Sequence, residues 1–365
     1  MTHQAVKQAL GVSPGNESDD LEELDSALDE EGPVLSGGPG PETYEVRFTV
    51  EPNYAGWRLD RYLCEKIRRL SRTKVQRALK RDLVYRGSGK LKASTLVVPG
   101  LSFSLIRRRD PEPECERDFR IAYQDEDVLV VDKPAGLAIH PTARYFHHTL
   151  TAVLRERQPA GEKWDIAHRL DRETSGLVVC GKHPAATGKL KIAFARHGVI
   201  RKEYLALVHG WPEADEREVD LPLALLTDHP LRVKMGVVPP PEGKAAVTRV
   251  VVERRFRRDV PWRGPELALV RCFPRTGRQH QLRVHLAAIG HPIVGDKIYG
   301  PSDRYFGDFA DGVLSETARA ELVLPRHALH AAAIAFPHPR DGRETRVEAP
   351  LPADLAALLP GDGGA

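Results

Sequence analysis

Short apolar runs alternate with charged loops along this chain, and strand-like runs outnumber helical ones. Four runs have the length and continuity of buried strands: residues 128–131, 204–208, 247–252 and 267–273. Residues 149–157 and 184–197 have the apolar spacing of helices. The strands lie too close together for β-α-β units, so the pattern predicts an α+β fold on a mixed, mainly antiparallel sheet.

A second pattern precedes these strands and predicts a small helix-hairpin domain. Leu59, Leu63 and Ile67 share one helical face, and Val75 and Leu79 share another. Ser71 is placed to cap the second helix. Two strand-like segments follow, at residues 96–98 and 103–106.

Charge divides the same region sharply. The first 43 residues are acidic and contain no aromatic residue, a composition that predicts a disordered tail. Residues 57–109 are strongly basic, as expected of a surface that binds a polyanion. We therefore predict four parts: an acidic disordered tail (1–43), a basic RNA-binding domain (44–110), a catalytic domain (111–352) and a flexible C-terminal tail (353–365).

Composition excludes several classes of protein. No apolar stretch approaches the roughly 20 residues that span a bilayer, and no secretory signal is visible. The four cysteines lack metal-type spacing, and Cys180 and Cys272 lie in apolar runs typical of reduced core residues. These observations predict a cytoplasmic protein without membrane contact.

The strongest chemical signal is a loop, HRLDRETSG at residues 168–176, in which Asp171 lies between two arginines. Neighbouring guanidinium groups keep a carboxylate ionised, as a nucleophile or base requires. The alternative is an ordinary ion-paired surface loop. Thr174 and Ser175 are predicted to cap the loop, because no nucleophile motif surrounds the serine. We predict no metal site, since the spacing of His280, His285 and His291 matches no known ligand set.

This loop resembles the central motif of the RluA-type pseudouridine synthases, which modify ribosomal and transfer RNA. Four further motifs match that family in the same order, and the resemblance covers roughly residues 115–350. They are VVDKPAGL with a following His-Pro (130–141), RKEYLALVHG (201–210), TGRQHQLRVH with GHPIVGD (276–296), and LHA (329–331). The resemblance implies a central antiparallel sheet crossed by a cleft.

The resemblance also implies roles for individual residues. Asp171 is the catalytic carboxylate, Tyr204 stacks on the base and can relay a proton, and Arg283 pairs with Asp171. From the residues alone, Thr276 and Gly277 are expected to begin a helix, with Arg283 at the border of its apolar face. Arg278 is the competing partner for the carboxylate.

RNA contacts are predicted in both domains. By resemblance, Arg169 fills the space that a flipped uridine leaves; a structural salt bridge is the alternative. Arg278 and His280 are predicted to contact RNA. The basic segment resembles the RNA-binding module of small-subunit ribosomal protein four, and Arg72, Lys74 and Arg77 are its candidate contacts.

These inferences together predict a monomeric RNA pseudouridine synthase, with large-subunit ribosomal RNA the leading target and transfer RNA the second. The isomerisation needs no cofactor. Asp171 could add covalently to the ribose or abstract a ribose proton. One alternative is a non-catalytic RNA-binding or ribosome-assembly factor. Another is a nucleoside hydrolase, which would need a metal or a second carboxylate, and Glu173 is the only near neighbour.

Overall fold

The computed structural model describes residues 43–67, 72–108, 112–142, 145–196 and 198–360. The predicted acidic tail, apart from Thr43, and the predicted helix cap Ser71 lie outside these residues. The chain divides into two compact units. Of the described residues, the first unit contains those up to 112 together with residue 142, and the second contains 113–141 and those from 145 to 360.

The first unit combines two short helices with a three-stranded antiparallel sheet in the order β1-β3-β2. Its elements are β1 (Thr43–Thr49), α1 (Leu59–Lys66), α2 (Arg72–Arg81), β2 (Leu83–Val84) and β3 (Ser102–Arg108). Leu59, Leu63, Val75 and Leu79 are all buried. The apolar spacing therefore predicted the faces of both helices correctly, because those faces supply this unit's core.

The strand predicted at residues 96–98 is wrong. Leu96 makes only an isolated bridge to Arg58, and Leu96 and Val98 are 61% and 59% exposed. Val97 alone enters the core. The segment leads into a turn in which Gly100 has a φ of 79° and donates its N–H to the carbonyl of Val50. That turn ends the run before it can form a ladder.

The second unit is built on a ten-stranded sheet, with helices on its flanks and a separate two-stranded sheet. The first half of its elements are β4 (Arg120–Gln124), β5 (Val128–Lys133), α3 (Leu150–Arg157), β6 (Asp165–Ile166), β7 (Ser175–Gly181), α4 (Pro184–Ala195) and β8 (Arg201–His209). Next come β9 (Glu216–Asp220), β10 (Leu223–Leu225), β11 (Met235–Val237), β12 (Val247–Arg257) and β13 (Glu266–Pro274). The last are α5 (Gln281–Ala288), α6 (Arg304–Ala310), α7 (Glu316–Leu322), β14 (Leu329–Pro337), β15 (Glu344–Glu348) and α8 (Ala353–Ala356).

The large sheet runs β4-β5-β7-β14-β8-β13-β12-β9, with β6 paired to β7 and β15 paired to β14. Every pair is antiparallel except β14 with β7. This confirms the predicted α+β fold and its mainly antiparallel sheet. All four predicted strands are present, and β12 and β13 are longer than their apolar runs.

The parallel contact between β7 and β14 depends on a glycine. Gly176 has a φ of 111°, and a Cβ atom there would lie 2.3 Å from the carbonyl oxygen of Ala331. A side chain at this position would push the two strands apart, since the neighbouring atom is backbone. The glycine therefore allows the chain to leave the Asp171 loop and join β14 directly.

Apolar side chains on both sides of the join form the core. One cluster surrounds β8, β13 and α5, and another lies between β5, β7 and α3. Cys180 and Cys272 are fully buried free thiols, as predicted for core residues. No helix among the described residues is long and apolar enough to cross a membrane.

The chain does not become a flexible tail at residue 353. Helix α8 follows, with Leu355 fully buried and Leu358 nearly so. Asp354 accepts two hydrogen bonds from Arg326, at 2.7 and 2.9 Å. The two leucines and the ion pair attach residues 353–360 to the second unit, so the predicted tail is wrong for these residues, and residues 361–365 lie outside the described part of the chain.

Candidate active site

Asp171 lies in the loop between β6 and β7. The N–H of Thr174 donates to its carbonyl at 3.1 Å, forming a tight turn. Lys133, at the end of β5, stabilises the same loop. Its fully buried Nζ donates to the carbonyls of Pro134, Leu137 and Arg172 at 2.9, 2.9 and 3.1 Å. One side chain thus joins the end of β5 to the residue after Asp171.

We expect Lys133→Met to lower the free energy of unfolding by about 3 kcal/mol, the upper end of the cost of leaving buried acceptors unpaired. Methionine keeps the length of the side chain but supplies no donor to the three carbonyls. Urea unfolding monitored by circular dichroism measures the change. Lys189→Met is the control, because that residue is exposed and its ammonium donates to the carbonyl of Pro339. Equal midpoints for the two variants would contradict a supporting role for Lys133.

Arg283, on α5, connects Asp171 to a second carboxylate. Its Nη1 donates to Oδ2 of Asp171 at 3.0 Å. Its Nε and Nη2 form a two-point pair with Asp296, at 2.7 and 2.9 Å. Asp296 is fully buried and also accepts the N–H groups of Ile298 and Tyr299. Asp296 therefore fixes the guanidinium plane, and one edge remains directed at Asp171.

Electrostatics keep Asp171 ionised. Burial alone would raise its pKa, but His280 and Arg283 outweigh burial and lower the pKa to about 2. Burial lowers the pKa of His280 itself to about 4, so its imidazole is neutral near pH 7. The guanidinium of Arg283 is then the charge that holds the carboxylate ionised. Asp171 is the more accessible partner, with 27% of its side chain exposed against 7% for Arg283.

Tyr204 lies on β8, opposite Ala331 of β14. Its ring packs against both main core clusters. Burial raises the pKa of its hydroxyl, and the negative charge of Asp171 raises it further. The hydroxyl is therefore protonated at neutral pH and lies within electrostatic reach of the carboxylate. The structure brings Asp171, Tyr204 and Arg283 together from three distant parts of the sequence.

Several residues of this site were not anticipated from the sequence. Glu173 accepts two hydrogen bonds from the buried Lys297, at 3.0 and 2.9 Å, and one from Arg172 at 3.0 Å. It therefore has a structural ion pair, and it does not stand free beside Asp171 as a second acid or base. Asp296 and Lys297 both fall in the GHPIVGDK stretch. The signal that could have indicated them in the sequence is this charged pair directly after a glycine.

The loop-capping role predicted for Thr174 and Ser175 is wrong. Thr174 Oγ1 bonds Nε2 of His327 at 2.7 Å, and Ser175 Oγ bonds Nδ1 of His330 at 3.0 Å. Both histidines are buried, His330 on β14 and His327 just before it. The hydroxyls instead join the Asp171 loop to the far end of the chain.

The helix predicted from Thr276 begins later, at Gln281. Gln281 explains the delay, because its Oε1 accepts from Thr276 Oγ1 and from the N–H of Arg278 and so holds those residues in a turn. Arg283 is buried in the first turn of the helix and does not lie at the border of an exposed face. Arg278 directs its Nε to the carbonyl of Ala245, so the arginine beside Asp171 is Arg283.

Comparison with known proteins gives the family of this site. A family model described as RNA pseudouridylate synthase matches residues 127–288, which include Asp171, Tyr204 and Arg283. The ribosomal large subunit pseudouridine synthase D of Zymomonas mobilis is 35% identical over 87% of this chain and 96% of its own length. The ribosomal large subunit pseudouridine synthase C of Escherichia coli is 31% identical over 87% and 97%.

The chain belongs to the RNA pseudouridylate synthase family. The solved structure of human RNA pseudouridylate synthase domain containing 1 has the same fold, with a TM-score of 0.52 and 28% identity over 68% of this chain and 90% of that one. The predicted class of enzyme, a pseudouridine synthase of the isomerase class acting on RNA, is thereby confirmed.

The other predicted site residues of this synthase lie at varying distances from the carboxylate. Arg169 is exposed two residues before Asp171, and its charge contributes to the lowered pKa of His280. His280 places its Nε2 4.0 Å from Oδ2 of Asp171. His285 is buried on α5 between Thr248 and Leu221, and His291 bonds the carbonyl of His209. The three histidines therefore point to different partners.

Arg72, Lys74 and Arg77 lie on the exposed side of α2 in the first unit. Arg72 also has a structural partner, since its Nε donates to the fully buried Asp60 at 3.1 Å. Arg58 and Gln76 bind the same carboxylate, and the bond from Arg58 is the main reason its pKa is lowered. Arg72 thus contributes to the fold of this unit, whereas Lys74 and Arg77 extend from its surface.

Proposed function

We propose that this synthase converts specific uridines of large-subunit ribosomal RNA into pseudouridine. This target is supported by the similarity to the ribosomal large subunit pseudouridine synthases of Zymomonas mobilis and Escherichia coli, which align with this chain over nearly their whole length. The observation that carries the catalytic proposal is the bond of 3.0 Å between Arg283 and Asp171, whose side chain remains partly exposed.

Asp171 is the proposed catalytic carboxylate and Arg283 the residue that aims it. The target uridine leaves the RNA stack at a cost of a few kcal/mol, because its glycosidic bond is inaccessible inside folded RNA. The exposed Arg169 fills the vacated space, and Tyr204 stacks on the base. The bond from ribose C1′ to uracil N1 breaks, the base rotates, and C1′ joins carbon 5. Asp171 acts either as a nucleophile at the ribose or as a base toward a ribose proton.

The isomerisation exchanges one bond for another without oxidation or reduction, so the proposal needs no cofactor. The first unit is proposed to be an RNA-binding module like that of small-subunit ribosomal protein four, in which Lys74 and Arg77 contact phosphates. Arg72 and Arg278 are proposed to add to RNA binding beside their structural bonds. The synthase is proposed to act as a monomer in the cytoplasm.

Mapping pseudouridine in a strain that lacks this gene tests the function directly. We expect specific large-subunit positions to lose pseudouridine and to regain it when the intact gene is restored. Restoration with Asp171→Asn should leave those positions unmodified. An unchanged large-subunit map would refute the proposed target, and loss only in transfer RNA would favour the second candidate.

The basic face of α2 gives a separate prediction about binding. Each phosphate contact that is lost should reduce the slope of log affinity against log salt concentration by about 0.7–0.9. We expect the double variant Lys74→Ala, Arg77→Ala to bind a large-subunit RNA fragment more weakly at physiological salt and with a flatter slope. The rate per bound complex should not change.

Arg343→Ala is the matched control, because that exposed arginine lies in the turn after β14 and pairs only weakly with Asp341 at 3.4 Å. Titration against salt by fluorescence anisotropy compares the three proteins. The same slope for all of them would mean that the basic face is merely solvated.

A further inference from the structure

His280 adopts a backbone conformation that its sequence neighbours do not explain. Its φ of 54° and ψ of 14° place it in the left-handed region, which side-chain-bearing residues rarely enter. It immediately precedes α5, and its carbonyl accepts the N–H of Val284 at 2.9 Å. The conformation turns the imidazole away from the helix and toward Asp171. Non-glycine residues held in this region cluster at active sites, where the strain fixes the direction of a side chain.

The two ring nitrogens of His280 face different partners. Nδ1 lies 2.9 Å from the hydroxyl of Tyr299, and Nε2 lies 4.0 Å from Oδ2 of Asp171. A separation of 4.0 Å is too long for a hydrogen bond. Nε2 therefore lies beside the carboxylate of Asp171 but makes no hydrogen bond to it.

The protons in the hydrogen bonds that link Met235, Tyr299 and His280 can be assigned. The backbone N–H of Met235 can only donate, and it donates to the Tyr299 oxygen at 2.9 Å. Among the bonds described for Tyr299, Nδ1 of His280 is the acceptor that its hydroxyl proton can reach. Donation to Nδ1 is therefore the arrangement that satisfies both the hydroxyl and the imidazole. A neutral imidazole that accepts at Nδ1 carries its proton on Nε2. The nitrogen that faces Asp171 is therefore an N–H donor.

We propose that His280 donates its Nε2–H to a carbonyl oxygen of the target uracil while Asp171 acts on the ribose, and that Tyr299 is the positioning residue that fixes this tautomer. The substrate in this proposal rests on the proposed function. The assignment of the tautomer does not rest on the proposed function, because it follows from the hydrogen bonds of Met235, Tyr299 and His280 alone.

A neutral donor suits the chemistry of this step. When the C1′–N1 bond breaks, its electron pair stays on uracil and spreads to the carbonyl oxygens. The uracil must remain an anion until carbon 5 attacks C1′, because a protonated base is a weaker nucleophile. Carbon 5 then loses its proton and nitrogen 1 gains one, while His280 keeps its own.

The burial-lowered pKa of His280, about 4, is consistent with an imidazole that does not become an acid at neutral pH. Neutral imidazoles polarise carbonyl groups in other enzymes.

Tyr299 is well placed to hold this arrangement. Its ring lies under the guanidinium of Arg283, 5.2 Å from centroid to Cζ, and its N–H donates to Asp296 at 3.0 Å. Its hydroxyl joins β11, through Met235, to His280. One residue thus contacts the arginine, the second carboxylate and the imidazole that surround Asp171.

The first test reads the tautomer in the full-length free enzyme and needs no RNA. In ¹⁵N-histidine-labelled protein, long-range ¹H–¹⁵N spectra distinguish a proton on Nε2 from one on Nδ1. His285 and His291 supply internal references of opposite tautomer. His285 donates from Nε2 to the carbonyl of Leu221 at 2.9 Å, and His291 donates from Nδ1 to that of His209 at 3.0 Å.

We expect the His280 signals, assigned by their loss in His280→Gln, to match the His285 pattern. In Tyr299→Phe the signals should shift toward a mixture of tautomers. A His280 spectrum with the His291 pattern would overturn the proposal, whatever the substrate of the enzyme.

The second test measures turnover on a transcript of the large-subunit RNA region that carries the mapped uridine. Under single-turnover conditions, His280→Leu should lower the rate roughly 10²–10³-fold, the usual effect of removing a donor to a developing anion. His280→Gln should recover much of that loss, because its amide N–H reaches toward the same place. Tyr299→Phe should cost roughly tenfold, and the affinity for RNA should change little in all three.

Tyr305→Phe is the control for removal of a phenol oxygen, since its hydroxyl bonds the partly buried Glu321, at 2.6 Å, and its rate should equal that of the wild type. Weakened RNA binding with an unchanged rate per bound complex would make His280 an RNA contact and overturn its role as a donor. A wild-type enzyme that is inactive on every large-subunit transcript would refute the proposed function and the uracil acceptor with it, while the spectra would still decide the tautomer.

Discussion

Replacing Asp171 with asparagine is expected to abolish pseudouridine formation while leaving the fold and RNA affinity nearly intact. The amide has the shape of the carboxylate, and its oxygen can still accept from Nη1 of Arg283, which now donates at 3.0 Å. What disappears is the ionised oxygen that either mechanism of Asp171 requires. Losing an essential nucleophile or base costs several orders of magnitude in rate. Single-turnover tritium release or mass spectrometry of the RNA measures the effect.

Asp165→Asn is the matched control for that variant. Asp165 precedes the same loop, on β6, but 44% of its side chain is exposed and it pairs with Lys191 at 2.9 Å. Its replacement should leave the rate unchanged. Activity of Asp171→Asn within about tenfold of wild type would refute the catalytic assignment, since a loss of that size fits only a supporting residue.

The pH dependence of the same reaction follows from the lowered pKa of Asp171. Burial opposes ionisation, but His280 and Arg283 bring the pKa to about 2, so the carboxylate stays ionised well below neutral pH. We expect no loss of single-turnover rate through protonation of this group between about pH 8 and pH 3, a range that includes the ordinary pKa of aspartate, about 3.9. Rates across that range, with RNA saturating at each pH, measure it. An acid limb centred near the ordinary pKa of aspartate, absent in a thermal-stability control, would contradict the shift.

Arg283→Lys is expected to be nearly as damaging, although it keeps the charge. The guanidinium now binds Asp296 at two points and Asp171 at a third. A lysine has one point of positive charge and cannot hold both carboxylates in fixed directions. Misplacing a reacting group by about 1 Å can cost on the order of 10²-fold in rate, and we expect a fall of at least that size with little change in RNA affinity.

Arg271→Lys provides the comparison, because Arg271 on β13 also bridges two carboxylates, those of Glu253 and Glu203, at 2.6 and 3.2 Å. That bridge lies outside the Asp171 site, and its loss should leave turnover unchanged. If Arg283→Lys instead abolished RNA binding and left turnover per bound complex normal, Arg283 would be a phosphate contact.

The sequence predicted the parts of this synthase that depend on local pattern. Apolar runs located the strands, because burial on both sides of a sheet leaves no polar positions to interrupt them. The family motifs located Asp171, Tyr204 and Arg283. The resemblance also implied the pairing of Arg283 with Asp171, but the other tertiary partners could not be predicted. Asp296 reaches Arg283 only because α5 and the following turn fold together, and Thr174 meets His327 across 153 residues of chain. The late start of α5 depended on the side chain of Gln281, which no helix propensity describes.

The position of β14 sets the order in which the synthase can be completed during translation. This strand enters between β7 and β8, so it separates the half of the sheet that carries Asp171 from the half that carries Tyr204. A nascent chain that ends before Leu329 exposes two unpaired strand edges and cannot join the halves. At the contact between β7 and β14, Gly176 lies so close to the neighbouring backbone that no side chain would fit. Catalytic competence therefore arises only after β14 has left the ribosome, and until then the open edges are the surfaces that chaperones must shield.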